Sequence, residues 1–100
     1  MRMPNPPSGP LVRYDLLIQG RVQGVGFRWF ASRKARQLGI TGWIRNLEDG
    51  SVEMEVQGEP ERVERLLVLL QEGNGFSQVD RICKGSLSPV PEREFVVLSF

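Results

Sequence analysis

The chain has 100 residues, 40% of them apolar and 25% charged, and its 13 basic and 12 acidic side chains leave a formal net charge of +1. That size and balance describe one small globular domain with a single core, and near-neutrality weighs against a dedicated nucleic-acid binder. Cys83 is the only cysteine and histidine is absent, which excludes intrachain disulfides, Cys/His zinc sites, iron–sulfur ligation and every histidine-based triad.

Residues 1–11 carry four prolines and no periodicity. They read as a flexible tail before a single domain over 12–100. The start lacks the apolar stretch of a secretory signal, and no apolar run is long enough to cross a bilayer. A cytoplasmic protein without a membrane partner is therefore expected. A β-rich run, Tyr14-Asp15-Leu16-Leu17-Ile18-Gln19, predicts a first strand over about 12–20.

Gly20-Arg21-Val22-Gln23-Gly24-Val25-Gly26-Phe27-Arg28 follows, with three glycines in seven positions. Backbone so rich in glycine can fold tightly and turn several N–H groups toward one point. From Phe27 the pattern becomes helical: Phe27, Phe30, Ala31, Ala35 and Leu38 form one apolar stripe, and Gly39 marks the stop. A second strand is predicted over 41–47, a tight turn at Glu48-Asp49-Gly50 and a third strand over 51–57. In that third strand Val52, Met54 and Val56 should face the core, with Glu53, Glu55 and Gln57 toward water. Trp43 is assigned to the core.

Gly58-Glu59-Pro60 opens a second helix, with Val63, Leu66, Leu67 and Leu70 as its apolar stripe and Gly73-Asn74-Gly75 at its end. A fourth strand over 76–87 holds Cys83, read as a buried apolar filler. Ser88-Pro89-Val90-Pro91 breaks the chain, and 95–100 supplies a short last strand. The order is βαββαβ with an extra C-terminal strand. It specifies an α+β protein, a ferredoxin-like α/β sandwich with two helices on one face of an antiparallel sheet. That fold hosts many functions and does not choose among them.

Residues 13–45 hold seven basic side chains against one acid, and residues 48–64 hold seven acids against one base. An anion site in the basic segment fits this asymmetry; so do two solvated faces of opposite sign. The glycine loop lacks the Gly-Lys-Ser/Thr ending of a P-loop and the spacing of a dinucleotide fingerprint. Arg28 says more. A cation at a helix start sits beside the positive end of the dipole, a conflict that a bound anion relieves. The plainer alternative is an arginine reaching out to solvent. Asn46, near the end of the second strand, has a plain alternative too, as the first residue of a turn.

Taken together, Gly20–Arg28, Leu38-Gly39-Ile40-Thr41-Gly42-Trp43-Ile44-Arg45-Asn46, Asp49-Gly50-Ser51-Val52-Glu53 and Gly58 resemble the acylphosphatase family, over all but the tail. The resemblance implies metal-free hydrolysis of a small-molecule carboxyl-phosphate anhydride; no cofactor is called for, and a monomer is expected. It makes Arg28 the phosphate-binding arginine and Asn46 the water-positioning asparagine. The backbone N–H groups of Val22, Gln23, Gly24, Val25, Gly26 and Phe27 complete the cradle. Gly26 stands where many relatives carry a larger residue. Three competing readings share the fold. A base-stacking nucleic-acid module is rejected, because the outward strand positions are acidic and non-aromatic. A non-catalytic small-anion sensor differs only in lacking turnover. A piece of a larger carbamoyl-transfer maturation factor is disfavoured by the chain's length.

Overall fold

A computed structural model describes residues 10–99; most of the tail expected over 1–11, and Phe100, lie outside that range. The elements are β1 (Val12–Arg21), α1 (Phe27–Gln37), β2 (Thr41–Asn46), β3 (Val52–Gly58), α2 (Pro60–Glu72), β4 (Gln78–Leu87) and β5 (Phe95–Val97). The sheet order is β4-β1-β3-β2-β5. The first four strands pair antiparallel, whereas β5 lies parallel to β2 through Gly42, Trp43 and Ile44. The sheet is thus mixed. A strand arriving from a long connection is free to join the edge in either direction.

Both helices cover one face. Phe27, Ala31 and Ala35 of α1 and Val63, Leu66 and Leu70 of α2 are buried against Leu16, Ile18, Ile44, Val52, Met54 and Val56. Each of the larger side chains, valine to phenylalanine, contributes about 1.5–3 kcal/mol, so alternation along β1 and β3 fixes which face turns inward. α1 lies over β2 and β5, and α2 over β3 and β4. At the end of β1 the register with β4 shifts between Gln19 and Gly20. Gly20 has φ +136°, and a Cβ there would meet the Gln78 carbonyl oxygen at 2.1 Å. Only glycine lets β4 approach so closely as the chain leaves the sheet.

The other face corrects three expectations. Gln57 is buried, because the connection from β4 to β5 crosses this face: Gln57 Nε2 donates to the Val90 carbonyl and its Oε1 accepts from Val90 N–H. Trp43 is only half-buried and stands on this face with the Arg45 guanidinium 5.5 Å from its ring centre. Odd positions of β2 point away from the helices, and Trp43 shares that parity with Arg45. Cys83 is free and half-buried opposite Leu17, on a strand with little buried surface.

Arg13, only 4% exposed, fastens the crossing segment. Its guanidinium donates to Glu55 at 3.0 Å, to Gln57 Oε1 at 3.1 Å and to both carboxylate oxygens of Glu92 at 2.8 and 3.3 Å. Burial pulls the Arg13 pKa down, but the hydrogen bonds and charges of Glu92 and Glu55 prevail and hold it above its ordinary value. Arg45 pairs with Glu53 at 2.7 Å. Two bases of the basic segment and two acids of the acidic one therefore neutralise each other across β1, β2 and β3, so the two segments do not form separate faces.

Candidate active site

The helix that begins at Phe27 starts without a cap. Gly26, its N-cap, is left-handed at φ +76°, no side chain bonds the first turn, and that turn holds no acidic residue. Gly24 is also left-handed, at φ +73°. These two reversals wind residues 22–26 into a bowl ahead of the helix. The backbone N–H groups of residues 23–28 donate to no protein acceptor among the described residues. Phe27, 1% exposed, is sunk in the core, and its burial pins the first helical turn so that Arg28 emerges beside the bowl.

A cleft of about 410 Å³ opens here. Val22, Gln23, Gly24, Gly26, Phe27 and Arg28 line it, together with Asn46 from β2 and with Trp29 and Val97. Arg28, Asn46 and five of the six loop residues singled out in the sequence thus share one cavity. Val25 does not line it: its side chain packs against the core, and its carbonyl accepts a 2.8 Å hydrogen bond from Asn74 Nδ2 on the α2–β4 connection.

Arg28 is half-buried rather than extended into solvent. Its Nη1 donates to the Leu98 carbonyl at 2.8 Å, while Nε and Nη2 bond no other group among the described residues. Asn46 ends β2, opposite Val52. The turn that follows is closed without it, by Leu47 N–H to the Ser51 carbonyl and by Asp49 Oδ1 accepting from the Ser51 backbone. The Ser51 contacts hold the Asp49 carboxyl below its ordinary pKa. Asn46 Oδ1 is buried with no hydrogen-bond partner among the described residues. A residue that merely starts a turn uses its side chain on that turn; Asn46 does not.

Gln23 joins the two halves of the site. Its Nε2 donates to the carbonyls of Leu47 at 2.7 Å and Ser51 at 2.8 Å, tying the loop to the hairpin that carries Asn46. This side-chain role, the Leu98 carbonyl and Asn74 all escaped the sequence reading. None leaves a local signature, because the partners lie 24, 28, 70 and 49 residues away.

A larger cleft, about 630 Å³, lies between the C-terminal end of α1 and β5, with Arg36 and Arg93 at its rim. Arg36 already donates to the Phe95 carbonyl at 3.3 and 2.9 Å. The negative end of the helix dipole also disfavours anions there. The smaller cleft is the better anion site.

The acylphosphatase family model matches residues 14–97. The chain belongs to the acylphosphatase family. An acylphosphatase of Thermococcus kodakarensis is 55% identical over 71 residues, covering 71% of this chain and 78% of that protein. An acylphosphatase of Bifidobacterium longum is 42% identical over 85 residues, covering 85% and 88%. The crystal structure of acylphosphatase from Bacillus subtilis superimposes with a TM-score of 0.84 at 31% identity, over 87% of this chain and 98% of that one. The sandwich read from periodicity is therefore the acylphosphatase fold. Among the described residues, no helix is long and apolar enough to cross a membrane.

Proposed function

We propose that the cleft on Arg28 and Asn46 hydrolyses acyl phosphates, giving a carboxylate and inorganic phosphate. The observation that carries this reading is the orphaned Asn46 Oδ1, lining the same cavity as a half-free guanidinium and a bowl of unpaired N–H groups. No protein donor reaches this acceptor among the described residues, so it is available to a water or a substrate group in the cleft.

The phosphoryl group sits in the bowl, its oxygens on N–H groups drawn from Val22, Gln23, Gly24, Gly26 and Phe27, which line the cleft, and on Nε and Nη2 of Arg28. An arginine fork suits two oxygens at once. Asn46 Oδ1 accepts one hydrogen of a water and aims it at phosphorus. The water oxygen attacks in line, the bond from phosphorus to the acyl oxygen breaks, and the carboxylate leaves with that electron pair. The water's proton passes to a phosphate oxygen. A carboxylate needs no strong acid to depart, so the lack of histidine is no obstacle. Phosphoryl transfer of this kind asks mainly for positioning and charge stabilisation. Trp29, 66% exposed, and Val97 give the mouth an apolar rim where the acyl group rests.

The reading includes a small-molecule substrate, a cytoplasmic monomer as the working form and no metal. The free Cys83 thiol fits a reducing compartment. The deciding experiment is turnover of benzoyl phosphate against a phosphate monoester, with and without EDTA. Rapid cleavage of the anhydride alone, unchanged by the chelator, is expected. Absence of cleavage would leave the cleft as an anion sensor.

A further inference from the structure

We infer that Asn74, on the connection between α2 and β4, is a positioning residue that aims the Gly26 N–H into the phosphate bowl. The inference rests on the bowl being the phosphate site. Asn74 is itself held in one orientation: its Oδ1 accepts from Phe76 N–H at 3.0 Å and Ser77 N–H at 2.8 Å, and its own N–H donates to Ser77 Oγ at 3.1 Å. With Oδ1 engaged by two donors, Nδ2 is the end that remains, and it donates to the Val25 carbonyl at 2.8 Å.

The peptide plane transmits that hold. No described peptide bond is cis, so the Gly26 N–H points opposite to the Val25 C=O. Asn74 does not line the cleft, whereas Gly26 does. A carbonyl drawn outward to Asn74 therefore turns the next N–H inward. The left-handed Gly26 that follows can rotate at little cost, so without the Asn74 bond this plane is the hinge most able to flip. A Cβ on Gly26 would lie 3.8 Å from Asn74 Nδ2 and meet nothing nearer. Space is not what fixes the loop at this point; the hydrogen bond is. Gln23 anchors the opposite side of the bowl to the β2–β3 hairpin, which leaves residues 24–26 dependent on Asn74.

The test is an amide-resolved NMR titration with inorganic phosphate, joined to inhibition kinetics. In the wild type the Gly26 amide should shift together with other loop amides. Asn74→Ser keeps a neutral oxygen for the turn but cannot reach Val25. It should weaken phosphate binding about two- to tenfold and reduce the Gly26 response while sparing that of Gly24. KM should rise more than kcat falls. Asn74→Gln, which restores a donor of slightly longer reach, should recover part of the affinity. If Gly26 stays silent in the wild type while its neighbours respond, the inference is wrong without any mutant being made. It is equally wrong if Asn74→Ser binds phosphate as the wild type does, or keeps the Gly26 response while losing activity. If no loop amide responds in the wild type, the phosphate site itself has been misplaced.

Discussion

Arg28, in the first turn of α1, and Leu98, just past β5, are joined by a 2.8 Å hydrogen bond from Nη1 to the carbonyl oxygen. Leu98 is held in turn by β2, its N–H donating to the Ile44 carbonyl at 2.8 Å. Ile44 is fully buried and lies two residues before Asn46. One strand therefore sets the position of both groups assigned to catalysis: Asn46 directly, and Arg28 through the last residues of the chain.

Breaking this relay should be felt at Arg28. Proline at 98 has no N–H to give Ile44, so Leu98→Pro releases the carbonyl from its place on β2. About a tenfold loss of kcat/KM is expected, the cost of misplacing a group by a fraction of an ångström. Arg28→Ala sets the limit: losing a preorganised donor costs about 2.7–4 kcal/mol, or 10²–10³ in rate, and the lost charge adds to it. Arg28→Lys should recover little, since a point charge cannot replace the fork. Steady-state kinetics on benzoyl phosphate measure all three, and a Leu98→Pro enzyme with normal kcat/KM would show that the relay is dispensable.

Asn46 should separate stability from rate. Asn46→Ala removes an acceptor that bonds no protein group among the described residues, so the stability of the folded protein should change by less than about 1 kcal/mol. Its kcat should fall about 10²-fold or more, while the inhibition constant for phosphate changes little because Arg28 and the bowl are intact. Urea titration and kinetics on the same preparation decide it. A variant that loses phosphate affinity instead would make Asn46 a binding group.

Much of this was legible in the sequence, for identifiable reasons. The alternation of Val52, Met54 and Val56, the helical stripe from Phe27 and the Asp49-Gly50 turn are local patterns, and each element appears within a few residues of its expected place. The gathering of Arg28, Asn46 and the loop into one cleft followed from a motif resemblance. What could not be read depends on distant partners. Gln57 looks like an outward strand residue until the 88–94 segment crosses over it. Trp43 is the exception, a misread local pattern: it alternates with buried Ile44 and shares the parity of Arg45, which places it on the opposite face. Arg13 looks like any surface arginine beside a tail, yet it is buried under three side-chain partners.

That buried arginine should matter for stability more than any surface charge. Arg13→Met fills similar volume but leaves Glu55 and Glu92 facing each other with no cation between them. Removing one partner of a fully buried ion pair costs about 3–5 kcal/mol. Glu55 and Glu92 keep 26% and 20% of their side-chain surface in water, so the loss should be smaller, yet still a sizeable share of the total for a domain of this size. Glu92→Gln, which keeps a hydrogen-bond acceptor for Arg13, should cost clearly less. The midpoint of urea unfolding reports both. Equal midpoints for Arg13→Met and wild type would mean that the crossing segment is held by Gln57 and Val90 alone.

Asp15 should tilt stability with pH in the direction opposite to most carboxylates. It lies on the open face opposite Glu55, and its pKa is pushed up to about 6, first by burial, then by hydrogen bonding with Glu53 and by the charges of Glu53 and Glu55, with Arg45 opposing. The folded protein thus holds this proton more tightly than the unfolded chain, whose ordinary value is 3.8. The stabilisation is fully present below about pH 4 and fades as pH rises through about 6. Asp15→Asn, a neutral mimic of the protonated acid, should remove that fade. It should exceed the wild type in stability at pH 8 by on the order of 1 kcal/mol after screening by solvent, with the difference shrinking toward pH 4. Unfolding midpoints for both proteins at pH 4.5, 6 and 8 give the comparison, and parallel curves across that range would place the ionised Asp15 in the folded state throughout.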